Sequence, residues 1–173
     1  LIEKEKKYIL NEKNFKRLIK NAIKYSVIIQ WYNEKNERIR VEILNNEELW
    51  TKNIKIPLNE LKRIEKEYKI SKPNMDSLKD FKVVIKKRYY LFFDPEIIID
   101  EILNPKNSIK YKNYEKIRYL LEIEEKSKRI DSFDNYIKNK FDFLPKAANF
   151  SNYFLSEKCN ISPEELLVEG KNV

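Results

Sequence analysis

The sequence predicts a single α+β domain built on an antiparallel sheet, and three observations carry that prediction. Segments rich in β-branched and aromatic residues, among them "KYSVIIQWYN", "ERIRVEIL", "FKVVIKKRYYLFF" and "EIIIDEIL", occur as pairs with short turns between them. Asn and Pro clusters supply the turns, because the chain has one Gly and no Gly/Ser linker to divide it. Its 173 residues suit one domain over positions 1–173, long enough to bury a core. Strands in hairpin order with helices between them can also close into a barrel.

The elements follow in order. "LIEKEKKYIL" reads as a strand, and "NEKNFKRLIKNAI" as a helix with Asn11 as N-cap and Phe15, Leu18, Ile19 and Ile23 on one face. "KYSVIIQWYN" and "ERIRVEIL" form a hairpin about "NEKNE", and "ELWTKNIKI" is a further strand that Pro57 ends. In "LNELKRIEKEYKI" the spacing of Leu58, Leu61, Ile64 and Tyr68 favours a helix, although Arg63, Glu65 and Glu67 alternate as a strand would require. "FKVVIKKRYYLFF" is a strand that Asp94-Pro95 turns into "EIIIDEIL". "YEKIRYLLEIEEK" is another strand, and "SKRIDSFDNYIKNKF" is helical. The tail reads as two short helices, the second opened by Ser162 with Pro163 at its first position.

Composition narrows the chemistry. Hydrophobic residues at 42% and aromatics at 13% argue for a folded chain despite 37% charged residues. No apolar run approaches the ~20 residues of a membrane-spanning helix, and the start is charged too early for a secretory signal. The single Cys159 excludes an internal disulfide and makes a reduced, cytoplasmic setting the default. With no His, there is no Ser-His or Cys-His couple, no imidazole ligand and no imidazole base. Catalysis would fall to carboxylates, amines, hydroxyls or a metal-bound water. The net charge of +8 invites a polyanion, but AT-rich coding produces the same Lys, Asn and Ile bias, so placement has to decide.

On the strands, charged residues recur two apart, which puts like charges on one face. Glu3 and Glu5 lead to Lys7, Arg38 pairs with Arg40, Lys86 with Arg88 and Glu122 with Glu124, while Asp100 stands within apolar "EIIIDEIL". An acidic-x-acidic-x-basic pentamer arises by chance about once in such a composition. A solvated strand face alternates in the same way, so no single pair decides.

The order of the motifs is more specific. "EKEKKYIL", "IIQWY", "RIRVE", "IKKRYY", "IIIDEI", "LLEIEE" and "NFSNYFL" follow one another as in the CYTH superfamily, the triphosphate tunnel metalloenzymes, which the chain resembles from Glu3 to about Lys158. The first element resembles the family's Glu-x-Glu-x-Lys signature, "RIR" its Arg-x-Arg strand, "KKR" its Lys-x-Arg strand and "LLEIEE" its late Glu-x-Glu strand. Gln30 and Tyr32 stand as in a Gln-Gly-Tyr segment, with Trp31 in place of Gly. "LPKAANFSNY" departs from the family's acidic-Val-Thr step, having Ala147 and Ala148 there while keeping Ser151 and Asn152. Lys146 could reach phosphate in compensation.

The resemblance implies a closed antiparallel β-barrel, a tunnel of about eight strands with peripheral helices. It implies Mg2+ or Mn2+ held by Glu3, Glu5, Asp100, Glu122 and Glu124, with Glu65 or Glu67 as a further carboxylate. Lys7, Arg38, Arg40, Lys52, Lys86 and Arg88 would bind phosphate oxygens, and Glu122, Glu124 and Lys7 would carry catalysis. The implied activity is hydrolysis of the terminal phosphoanhydride of inorganic triphosphate or a related small molecule, thiamine triphosphate included. The alternatives are a class IV-type adenylate cyclase making cyclic AMP from ATP, and a catalytically weak module binding polyphosphate, nucleotide or RNA 5′-triphosphate. A basic scaffold with solvated pairs is the non-enzymatic reading. No membrane partner is expected, and a homodimer is compatible with the sequence.

Overall fold

A computed structural model describes residues 5–35, 37–57, 63–103, 117–144, 148 and 152–173. Among the described residues eight strands form one sheet: β1 (Glu5–Leu10), β2 (Lys24–Tyr32), β3 (Arg38–Leu44), β4 (Glu47–Pro57), β5 (Arg63–Lys69), β6 (Lys82–Phe93), β7 (Glu96–Leu103) and β8 (Tyr119–Glu124). Their spatial order is β1-β8-β7-β6-β2-β3-β4-β5, and every neighbouring pair is antiparallel. The helices are α1 (Glu12–Ile19), α2 (Phe133–Lys140), α3 (Asn152–Leu155) and α4 (Pro163–Lys171), so the α+β class holds. No helix among the described residues is long and apolar enough to cross a membrane.

Residues opposite one another in an antiparallel ladder share a face, so the register divides each strand into two sets. On one face Val27, Ile29, Trp31, Val41, Ile43, Trp50, Val83 and Ile85 pack with Leu166 and Leu167 of α4 and with Met75 and Leu78 of a 3-10 turn. Farther along that face Tyr8, Leu10, Ile97, Ile99, Leu121 and Ile123 pack with Phe15 of α1 and Phe133 and Ile137 of α2. The helices form because their caps are in place: Asn11 Oδ1 accepts the Asn14 N–H at 2.8 Å, and Ser162 Oγ accepts from Glu165 N–H ahead of Pro163. The single glycine lets α4 lie close to the sheet, since a Cβ on Gly170 would stand 2.9 Å from Ile29 Cδ1.

The second face is also buried, with Ile28, Gln30, Lys86, Asp100 and Leu120 at 0% exposure, because the sheet curls over it. Four strand steps separate β1 from β2, which in a flat sheet is about 19 Å. Yet Ile9 of β1 packs against a cluster that includes Tyr32 of β2, Val84, Ile102 and Leu155 of α3. Burial on both faces explains why "VIIQWY" and "EIIID" read as continuous apolar runs.

Two expectations are corrected. The sheet is not closed into a barrel: among the described residues β1 and β5 are its margins, with no ladder between them. The side of β1 that would have to meet β5 is taken by Ala148, whose N–H donates to Lys7 O at 2.8 Å. The helix favoured over "LNELKRIEKEYKI" is instead β5, paired with β4 from Thr51↔Lys69 to Pro57↔Arg63. Pairing sets Ile64 beside Ile56 and Glu65 beside Lys55, and this tertiary context overrides a weak helical spacing.

Candidate functional site

Pleating and register bring most of the predicted residues to the concave face. Lys7 lies opposite Glu122, and Glu5 opposite Glu124. Arg88 lies opposite Asp100 and Ser26, Lys86 opposite Ile28, Arg40 opposite Gln30 and Arg38 opposite Tyr32. All of these residues therefore share one face.

The most buried part of the site is an ion cluster. Arg88 Nε and Nη2 donate to Asp100 Oδ1 and Oδ2, each at 2.8 Å, and Lys86 Nζ lies 3.0 Å from Asp100 Oδ2. Burial disfavours the charged form of Asp100, but the charges of Arg88 and then Lys86 outweigh it and hold the carboxyl well below the usual range. Lys86 behaves oppositely: burial pulls its ammonium down to about 7, Asp100 opposing and Arg88 reinforcing the shift.

Arg40 is splinted by Gln30, whose Oε1 accepts from Nε at 2.8 Å and from Nη2 at 2.6 Å, while its Nε2 donates to Tyr32 Oη at 2.7 Å. Burial and the neighbouring charges of Arg38 and Arg88 lower Arg40 to about 10, so it stays cationic at neutral pH. Arg38 Nη2 lies 3.6 Å from Glu67 Oε2, while Arg38 Nε is buried without a hydrogen-bond partner. Lys7 Nζ stands 3.7 Å from Glu5 Oε1 and 3.9 Å from Glu122 Oε1, and Glu122 Oε1 is also buried without a hydrogen-bond partner. Glu124 titrates higher than usual, chiefly through burial, with Glu5 and Glu96 adding to the rise and Lys126, at 3.1 Å, opposing it.

The comparisons with known proteins fit this architecture. They support the fold alone. PH1819 protein from Pyrococcus horikoshii OT3 aligns with a TM-score of 0.51 and 23% identity, over 96% of this chain and 98% of its own. A chain of the Mediator head module from Schizosaccharomyces pombe aligns with a TM-score of 0.52 and 12% identity, over 85% of this chain and 98% of its own. No family model and no curated protein matches the sequence.

Lys52 and Asp100 are placed differently from expectation. Lys52 lies opposite Ile39 and Tyr68, on the helix-facing side of the sheet, and its Nζ pairs with Glu37 at 3.5 Å. The concave face of β4 carries Thr51, Asn53 and Lys55 instead, because a shift of one residue reverses the face. Asp100, expected among the metal ligands, is placed instead against cations, with both of its oxygens accepting from Arg88. Glu3 lies outside the described residues, as do Lys146 and Ser151. Among the described residues no group of three or more His, Cys, Asp or Glu is gathered as a metal cluster, although Glu5, Glu122 and Glu124 share a face.

Sequence reasoning missed Glu42 and Tyr90. Tyr90 Oη donates to Glu42, 2.9 Å from both Oε1 and Oε2. The signal was present, because Glu42 is two residues beyond Arg40 and Tyr90 two beyond Arg88. An anion entering beside Lys86 favours its charged form, so its binding near neutral pH is expected to take up a proton. Calorimetric titration with triphosphate in buffers of different ionisation enthalpy checks this, and enthalpies independent of buffer would contradict it.

Proposed function

We propose that the protein is a metal-dependent triphosphatase related to the triphosphate tunnel metalloenzymes, hydrolysing the terminal phosphoanhydride of inorganic triphosphate or a related small molecule. One observation carries this reading: Lys7, Arg38, Arg40, Lys86 and Arg88 converge with Glu5, Glu122 and Glu124 on one concave face. Neither a solvated scaffold nor coding bias accounts for cations drawn from three strands onto a buried surface.

A triphosphate carries about four negative charges, which planar guanidiniums meet bidentately and ammoniums meet as point charges. Arg40, held by Gln30, and Arg38, with its unpartnered Nε, are placed to take non-bridging oxygens. Asp100 acts through Arg88 and Lys86, fixing their positions while leaving the cluster net positive. Glu5, Glu122 and Glu124 offer the hard oxygen donors that magnesium or manganese prefers, and the unsatisfied Glu122 Oε1 suits such a role. A divalent ion bound there would neutralise phosphate charge and lower the pKa of a water. Lys7, between Glu5 and Glu122, would hold the phosphoryl group against those carboxylates. Water attacks the terminal phosphorus in line, the anhydride P–O bond breaks, and the pyrophosphate that leaves with the bonding pair is stabilised by Arg88 and Lys86.

Product release from triphosphate, ATP and thiamine triphosphate, with magnesium, manganese or chelator, tests the reading. Metal-dependent orthophosphate from triphosphate is the expected result. Pyrophosphate with cyclic nucleotide from ATP would replace hydrolysis by cyclisation, and binding without turnover would reduce the protein to a phosphate-binding module. In the same assay Arg40→Ala is expected to raise KM about 10- to 100-fold with a smaller change in kcat, the loss of one or two charged hydrogen bonds. An unchanged KM would remove Arg40 from the substrate site.

A further inference from the structure

Half of the chain's net charge of +8 falls within residues 11–25, which hold Lys13, Lys16, Arg17, Lys20 and Lys24 against Glu12 alone. The first four stand at i, i+3, i+4 and i+7, so they form one stripe along α1 and its C-cap, on the side away from the buried Phe15. All four are exposed; Glu12 pairs with Lys16 at 3.5 Å, and the Arg17 guanidinium lies 4.8 Å from the centre of the Phe143 ring. Folding does not ask for this stripe. Lys13 sits in the first turn, where the helix dipole disfavours a cation, and Lys13 with Arg17 and Lys16 with Lys20 are like charges four apart.

The stripe runs about 10 Å along the helix and leads to a cavity of about 660 Å³ between the C-terminal ends of α1 and α4. Tyr25, Val27 and Tyr89, on the helix-facing side of β2 and β6, form its floor, and the exposed Ile23, Asn45 and Asn46 also line it. Lys87, opposite Val27, places its ammonium 4.4 Å from the centre of the Tyr25 ring and 5.6 Å from that of Tyr89. Tyr25 nevertheless remains 53% exposed. Two acids close by are already matched, since Glu48 lies 2.5 Å from Lys171 Nζ and Glu101 lies opposite Lys87.

We propose that the stripe and the cavity form a binding surface for single-stranded nucleic acid, with backbone phosphates along α1 and a base stacked on Tyr25. Proteins that bind single strands pair a cationic track with aromatic rings on which bases stack, and both parts are present here in sequence. A nucleoside is within the size such a cavity takes, and each Asn carboxamide offers a donor and an acceptor to a base edge or sugar. An acidic peptide would use the lysines but not the exposed ring, and a duplex keeps its bases stacked on one another, away from Tyr25. The surface lies across the sheet from the proposed triphosphate site. It therefore does not rest on that activity.

Fluorescence anisotropy with short labelled RNA and DNA strands bearing 5′-hydroxyl ends tests this, with the corresponding duplex alongside. Tyr25→Ala is expected to weaken single-strand binding about tenfold, and Tyr25→Phe to restore it. Combining Lys13→Gln, Lys16→Gln and Lys20→Gln is expected to flatten the slope of log affinity against log salt by about 2, the share of three phosphate contacts on a single strand. These side chains are exposed, so the fold should survive their replacement, and circular dichroism checks that it does. Arg40→Ala, on the other side of the sheet, is expected to leave strand binding unchanged. No binding of either single strand, an affinity indifferent to Tyr25→Ala, tighter binding of duplex, or a loss confined to Arg40→Ala overturns the proposal. Strand binding with the expected losses but no triphosphate hydrolysis upholds this surface and refutes the triphosphatase. Hydrolysis without strand binding does the reverse.

Discussion

Glu122→Gln is expected to lower kcat for triphosphate by about 10³-fold while leaving the fold intact, a loss in the range seen when one preorganised charge is removed from a transition state. Glu122 lies opposite Lys7 in the β1–β8 ladder, is buried, and has one carboxylate oxygen without a hydrogen-bond partner. An amide of the same shape still packs there, so thermal melting should move little, but it is a far weaker donor to a hard cation than a carboxylate. The loss should therefore appear in kcat and in the metal concentration needed for half-maximal rate. Full activity in this variant would sink the assignment of Glu122 to the metal.

Asp100→Asn should damage stability instead, by about 3–5 kcal/mol, because removing one partner of a buried ion pair leaves the others uncompensated. Asp100 is fully buried and is the counter-charge for both Lys86 and Arg88. Lys86 can shed its proton, since burial already holds it near 7, but Arg88 cannot. Urea denaturation of wild type and variant measures the difference, and a change below about 1 kcal/mol would show that Asp100 is not the keystone of the cluster. The pH dependence follows with a definite sign. A carboxyl held below its unfolded value adds stability that is full above an unfolded pKa of about 4 and is lost as pH falls toward the folded value. The variant should lack that acid-side loss, so the two stability curves converge at low pH.

The strand positions were largely legible, because pleating is local: a residue and its second neighbour share a face in any strand. That rule placed Arg38 with Arg40, Lys86 with Arg88 and Glu122 with Glu124 before any fold was known. The caps at Asn11 and Ser162 were legible for the same reason, since a side chain reaching the N–H three residues on needs nothing from the rest of the chain. β5 was not legible. Its apolar spacing suited a helix, and only the partner strand β4 made an extended chain the better solution.

The site divided in the same way. Lys52 and Lys55 are both lysines on β4, and sequence order alone did not tell which faces inward; the register with Ile39 and Glu65 did. Asp100 drew attention as a lone acid among isoleucines, but its role depended on what β6 set opposite it, and that is Arg88.

The sequence by itself determined a His-free, single-Cys chain of alternating strands, with its like charges sorted two by two onto common faces. Only the tertiary structure decided which of those faces became concave, which acids met cations, and that the sheet margin at β1 is taken by Ala148. The reason is one of range. Backbone pleat and helix capping act within a few residues, whereas curl, register and burial are set by strands far apart in the chain, and buried charges accept whichever partner that packing supplies.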